Sequence, residues 1–252
     1  MNFIFTVQGE GRGHVTQAIA LNKMLRKYDH NLSKVIFGMS PFGSIPDCFI
    51  SKISSPVIQF ESPNFSKDNK QKSFNLAKTF FQILFKRNTY LKNIKILSEI
   101  ITYENPNLTI NFYHFLAGKY NFCYRPKLKF ICIGHQCLIS HPEFTSPDGE
   151  IMNRINFKLA NQITRLKAAE VLTFSFQNFK NNMTSNINVA APLLRKKLLQ
   201  VNIKTEDYFL IYMVNSGIGE EIEFFHRKNP NIPFIIFWDD KQNPKRHLVS
   251  EN

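Results

Sequence analysis

Acidic residues are scarce in this sequence, long apolar runs are missing, and no two cysteines stand at C-x-x-C spacing. Each shortage excludes something. No stretch approaches the roughly 20 consecutive apolar residues of a membrane-spanning helix, so a soluble or peripheral protein is expected. The first apolar run, Phe3–Val7, is short, follows no basic segment and leads straight into a glycine-bearing loop. It does not read as a secretory signal. Cys48, Cys123, Cys132 and Cys137 lack the spacing of a zinc ribbon or a redox pair. They read as ordinary thiols of a reducing compartment. Asp plus Glu total 19 against 32 Lys plus Arg, a net charge of +13. That balance suits an anionic partner: nucleic acid, an acidic membrane surface or a phosphorylated substrate.

A chain of 252 residues can bury a sizeable core and hold one large or two modest domains. Short apolar runs at 3–7, 34–38, 57–60, 108–112, 130–133 and 171–175 read as strands. Helical patterns lie between several of them. In 76–101, Leu76, Phe80 and Leu84 recur every fourth residue, and Leu91, Ile94, Leu97 and Ile101 continue the stripe. Alternation of this kind predicts an α/β fold with a doubly wound, parallel, Rossmann-like sheet. Ligands in such sheets sit at the carboxyl ends of the strands. The expected organisation is an N-terminal domain over 1–187, a linker over 188–205 and a second unit over 206–252. That unit begins strand 208–214, helix 220–227, strand 232–238. One β-α-β piece cannot cover both faces of a sheet, so this unit reads as the incomplete start of a second Rossmann-like domain.

The most informative stretch is Gln8-Gly9-Glu10-Gly11-Arg12-Gly13-His14, between the first strand and the first helix. Three glycines let backbone approach a ligand closely, and the helix start offers free N–H groups to an anion. A P-loop needs Lys and Ser/Thr where His14 and Val15 stand, so that reading fails. A dinucleotide fingerprint needs another third-glycine spacing and an acidic residue ending the second strand, which finishes Phe37-Gly38-Met39-Ser40. A nicotinamide-dependent oxidoreductase is therefore the weakest competitor.

The loop, with Val15-Thr16-Gln17-Ala18-Ile19-Ala20-Leu21, resembles the N-terminal loop of GT-B glycosyltransferases. The likeness is to the branch of the peptidoglycan N-acetylglucosaminyltransferase and the diacylglycerol glycosyltransferases, which open G-G-x-G-G-H-x-x-P-A-L-A-L. Gly11, Gly13, His14, Ala18, Ala20 and Leu21 match; Gln17 replaces the proline and Arg12 a glycine. Weaker likenesses follow in order. Phe112–Tyr120 stands where the family has a second glycine-bearing loop, and Ile133-Gly134-His135-Gln136 resembles an H-E-Q-N segment. Ala191–Arg195 resembles the N-P-V-R that closes the first domain, and Leu210–Gly217 the first strand and G-G-S loop of the second.

The resemblance implies transfer of a hexosyl group from a nucleotide-sugar, UDP being the expected nucleotide, to an acceptor hydroxyl, which a lipid could carry. It implies no further cofactor and no catalytic metal; Asp239-Asp240 is not a D-x-D motif. The family's ribose-holding glutamate lies later than residue 252, so a chain cut within its second domain is expected, with most of the donor site missing. His14 is a candidate base, because a neutral imidazole at a helix start can take a hydroxyl proton. Its plainer role is to cap the helix. Glu10 is the competing base. Gly9, Gly11 and Gly13 serve backbone approach, and Arg12 pairs with an acceptor phosphate or with Glu10. His114, His135 and Gln136 are candidates for substrate contact, each with a packed structural role as its alternative; His141-Pro142-Glu143 reads as a loop. Asn215, Ser216 and Gly217 would face donor phosphates.

Residues 64–103 interleave lysines with Phe80, Phe81, Ile83, Leu84 and Phe85. A basic amphipathic segment of this kind suits an anionic bilayer, and otherwise is a solvated face over a core stripe. A cytoplasmic protein, peripheral on the inner face of the membrane, is expected. No nucleic-acid motif accompanies the charge. A non-enzymatic anion-binding module remains the main alternative.

Overall fold

The computed structural model describes residues 1–10, 12–41, 43–64, 76–146, 149, 151–180, 186–194, 200–213 and 219–238. The chain forms two compact units. One joins Met1–Asn64 with Gln82–Leu199; the other joins Phe65–Phe81 with Gln200–Asn252.

The first unit runs β1 (Asn2–Gln8), α1 (Arg12–Lys27), β2 (Asn31–Met39), α2 (Asp47–Ile50) and β3 (Val57–Glu61). Helix α3 (Leu76–Phe85) crosses the boundary between the units in sequence. Then come α4 (Arg87–Glu104), β4 (Leu108–Phe112), α5 (Phe115–Tyr124), β5 (Lys129–Ile133), a 3₁₀ turn (His135–Ser140), α6 (Ile151–Thr164), β6 (Glu170–Phe174) and β7 (Ile187–Ala190). The sheet order is β3-β2-β1-β4-β5-β6-β7, and all of its pairings are parallel. The expected doubly wound sheet is therefore present. Its order reverses between β1 and β4, which puts the topological switch point at their carboxyl ends.

Alternation along β1 shows why both sheet faces are covered. Phe3, Phe5 and Val7 pack with Val15, Ala18 and Ile19 of α1 and with Phe37 and Phe49. Ile4 points the other way, into a cluster with Tyr90, Ile94, Leu97 and Ile101 of α4 and Leu116 and Tyr120 of α5. Burying side chains such as Phe5, Phe37 and Phe112 contributes about 1.5–3 kcal/mol apiece. Beside them runs a buried polar chain. Thr6 Oγ1 donates to Asn111 Oδ1 at 2.8 Å, and Asn111 Nδ2 donates to Thr164 O at 2.7 Å. It ties β1, β4 and the end of α6 together where an unpaired polar group would be expensive. Helix α5 meets α6 backbone to backbone: a Cβ on Gly118 would stand 2.0 Å from Ile163 O.

Four local expectations are corrected. The stripe over 76–101 is two helices, broken at Lys86 (φ −96°, ψ 10°), whose ammonium pairs with Glu61. Within α4, Tyr90 turns inward and Leu91 outward, because packing selects the Tyr90-Ile94-Leu97-Ile101 stripe. Residues 187–190, mostly assigned to a linker, are edge strand β7 of the first sheet, paired with Val171–Phe174. The supposed second glycine loop is a strand end, a two-residue turn at Tyr113-His114, and helix α5.

In the second unit, β8 (Phe209–Met213) and β9 (Phe234–Trp238) pair in parallel and flank α7 (Gly219–Lys228). Phe234 and Ile236 form its small core with Ile211, Ile222 and Ile232. This is the β-α-β pattern read from the sequence, with the helix one residue longer at each end and the second strand starting two residues later.

Candidate functional site

Three strand ends converge at the switch point. Strand β1 delivers Gln8, Gly9 and Glu10, and helix α1 then starts at Arg12 with no acidic residue in its first turn. Strand β4 delivers Tyr113, and β5 delivers Gly134, His135 and Gln136.

His14 lies in the first turn of α1 and is 4% exposed. One ring face stacks on Tyr113, with centroids 5.2 Å apart and planes 4° from parallel. His135 stacks on it as well, at 5.9 Å and 20°. Gln136 Nε2 lies 3.0 Å from His14 Nε2. With the amide N–H donating, the imidazole proton sits on Nδ1, which is buried with no hydrogen-bond partner among the described residues. Burial, reinforced by His135, pulls the pKa of His14 down to about 3, so the ring is neutral at physiological pH. Tyr113 OH, Gln136 Oε1 and Gln8 Nε2 are also buried without partners among the described residues.

Sequence reasoning missed Tyr113. It stands at φ +61°, a left-handed conformation that bulky residues rarely adopt. Nothing in Phe112-Tyr113-His114 signals a positive φ; the only trace is that the resembled family has a glycine-bearing loop there. Thr173 was missed too. From β6 its hydroxyl donates to the carbonyls of Gly134 and His135 at 3.0 and 3.3 Å, which holds the turn carrying His135.

The remaining candidates separate. His135 is exposed at the mouth of the cluster, and desolvation lowers its pKa. Glu10 Oε1 accepts the Ser40 N–H at 2.6 Å, so its carboxylate braces the end of β2. Arg12 is exposed at the first position of α1. Gly9 is required by packing: its N–H donates to Gly38 O at 2.7 Å, and a Cβ there would meet Phe37 Cε1 at 2.1 Å. Gly13 is different, since a Cβ would find nothing nearer than His135 Cε1 at 3.9 Å.

His114, a candidate for substrate contact with a packed role as its alternative, lies inside the fold. It is fully buried, and its Nδ1 accepts the Ala117 N–H at 3.2 Å to cap α5. Gly38 opposite it has no room for a Cβ, which would stand 2.2 Å from the ring. Burial lowers the His114 pKa to about 3. His141 is likewise buried, lying 2.8 Å through Nε2 from Lys180 O. Gly11, Asn215, Ser216, Gly217, Arg195 and Asp239-Asp240 lie outside the described residues. Helix α7, just after the Asn215–Gly217 segment, opens with Glu220 and Glu221. These acids place negative charge at that helix start.

A parallel seven-stranded sheet with a polar cluster at the β1/β4 switch point defines a Rossmann-like α/β protein. The model of one family, described as Glycosyl transferase family 1, matches residues 1–242, and the chain belongs to that family. No curated protein matches the sequence. Solved structures do resemble it. A Listeria monocytogenes protein assigned as a UDP-N-acetylglucosamine 2-epimerase aligns at TM-score 0.58 and 11% identity, over 97% of this chain and 64% of the other. A UDP-GlcNAc 2-epimerase from Neisseria meningitidis, bound to UDP-GlcNAc, gives 0.58 at 12% identity, over 97% and 68%. Arabidopsis thaliana UGT89C1 complexed with quercetin gives 0.52 at 13%, over 93% and 64%. At these identities the likeness is one of fold. The chain spans 64% of the length of the Listeria and Arabidopsis proteins.

Proposed function

We propose that the chain supplies the acceptor side of a hexosyltransferase, with the nucleotide-sugar, UDP-linked, placed against the first turn of α1. The observation that carries this is the cluster of His14, Tyr113, His135 and Gln136 at the switch point of a Glycosyl transferase family 1 chain. An acceptor oxygen attacks the anomeric carbon while the diphosphate leaves. The positive N-terminal end of α1 stabilises the charge that develops on that diphosphate. No added cofactor takes part in this scheme. That the Neisseria relative is bound to UDP-GlcNAc supports a UDP-linked donor.

The partner surface we assign is an anionic membrane. Helix α6 carries no acid over Ile151–Thr164 and exposes Ile151, Ile155, Leu159 and Ile163 at four-residue steps, beside Arg154 and Lys158. Ile83, Leu84 and Phe85 at the end of α3 are exposed too. No helix among the described residues is long and apolar enough to cross a membrane. A peripheral protein on the inner, cytoplasmic face is the location that fits.

Release of UDP from UDP-glucose and UDP-N-acetylglucosamine, with calorimetric titration of each, tests the transferase reading. UDP release above the protein-free blank is the expected result. Neither release nor heat at millimolar donor would leave the anion-binding module as the better reading.

A further inference from the structure

The acceptor hydroxyl must lose its proton as its oxygen bonds to sugar, and both groups that the sequence puts forward for this are engaged. Glu10 is held on the Ser40 N–H. His14 has Tyr113 and His135 stacked on its ring, Gln136 on Nε2, and an Nδ1 that is itself buried. An imidazole so enclosed does not reach a substrate hydroxyl.

His135 is not enclosed in this way. It is exposed, it opens the 3₁₀ turn that follows β5, and Thr173 fixes its backbone from β6. Its Cε1 overhangs the side-chain-free surface of Gly13, in the first turn of α1, where an anionic leaving group would bind. Resting on the transferase reading, we infer that His135 is the proton acceptor of the reaction, and that His14 and Tyr113 are positioning residues that hold its ring.

The step balances. The acceptor O–H proton passes to the neutral imidazole of His135. The oxygen bonds to the anomeric carbon, the bond from that carbon to the diphosphate breaks, and the diphosphate leaves with the electron pair. The imidazolium formed lies beside the departing anion and returns its proton to water. Desolvation supports the assignment by keeping His135 neutral before the step. The strained Tyr113 has a use in this scheme: its φ of +61° brings a flat ring under His14, which in turn backs His135.

The test is UDP release from UDP-glucose and UDP-N-acetylglucosamine, with water as acceptor. For His135→Ala, kcat is expected to fall about 100-fold or more, with KM for donor little changed. Added imidazole is expected to restore part of the rate. For His14→Asn, imidazole is expected to restore nothing. A folded His135→Ala that keeps its kcat, or loses it without rescue, overturns the assignment. Wild-type chain that releases no UDP overturns the transferase reading and this inference with it. Where His135→Ala does not fold, labelling of wild type with diethyl pyrocarbonate at pH 7 decides. His135 is expected to react before His14 and His114; the reverse order overturns the inference.

Discussion

Gly9 and Gly13 look alike in the loop and have opposite physical constraints. Gly9 has no room, since a Cβ would stand 2.1 Å from the ring of Phe37, itself fully buried. Gly9→Ala must therefore displace a core aromatic, and a loss of about 1–3 kcal/mol in urea unfolding is expected. Gly13 has open space at its Cβ position and a place in a helix. Gly13→Ala is expected to leave stability unchanged or raise it by up to about 1 kcal/mol, as helix propensity favours alanine. If the same Gly13→Ala weakens UDP-sugar binding, the glycine is kept open for ligand; unchanged binding would remove it from the site. From the sequence both glycines answered to backbone approach to a ligand. Only the tertiary position of Phe37 separates them, and no local signal carries that. His14 and Gln136 stood out in the sequence as candidates because each follows a strand end. Tyr113 was not, because its importance lies in a backbone angle.

Elements were legible where burial is simple. The central strands are near-continuous apolar runs because helices cover both sheet faces, so 3–7 and 108–112 stood out. Strand β7 did not, since an edge strand of Ile187-Asn188-Val189-Ala190 is short and half-buried. Helix α5 was hidden because its apolar residues surround it and leave no periodic face. Helix α6 shows the reverse: a clear apolar stripe that points to solvent. If it docks on anionic lipid, the chain is expected to sediment with phosphatidylglycerol vesicles and to be released by salt. Ile155→Glu with Leu159→Glu, both at exposed positions, is expected to abolish sedimentation while thermal unfolding stays within a few degrees of wild type. Wild type that stays in the supernatant at low salt would refute the membrane surface. In the lysine-rich stretch around α3, Lys86 is paired with Glu61, while Lys67, Lys70 and Lys72 lie outside the described residues.

At the scale of the whole molecule, burial of His14 and His114 within the first unit ties its stability to pH. His14 and His114 are buried in different surroundings, and each has its pKa lowered to about 3 by burial. Unfolded, each returns to about 6.5. Between those values the unfolded chain binds protons that the folded chain refuses, so stability rises with pH across this window and falls as pH drops. From pH 7 to pH 5 each histidine is expected to remove about 2 kcal/mol from the free energy of unfolding. Urea midpoints at the two pH values measure the sum, to which carboxylates also contribute. Substitution isolates one site: His114→Asn keeps a side chain able to cap α5 and cannot be protonated. Its stability is expected to fall less steeply than wild type by about 1.4 kcal/mol per pH unit below pH 6. Equal slopes for the two proteins would mean that His114 takes up a proton within the fold, and that the enclosure drawn around it by Gly38 and Ala117 opens in solution.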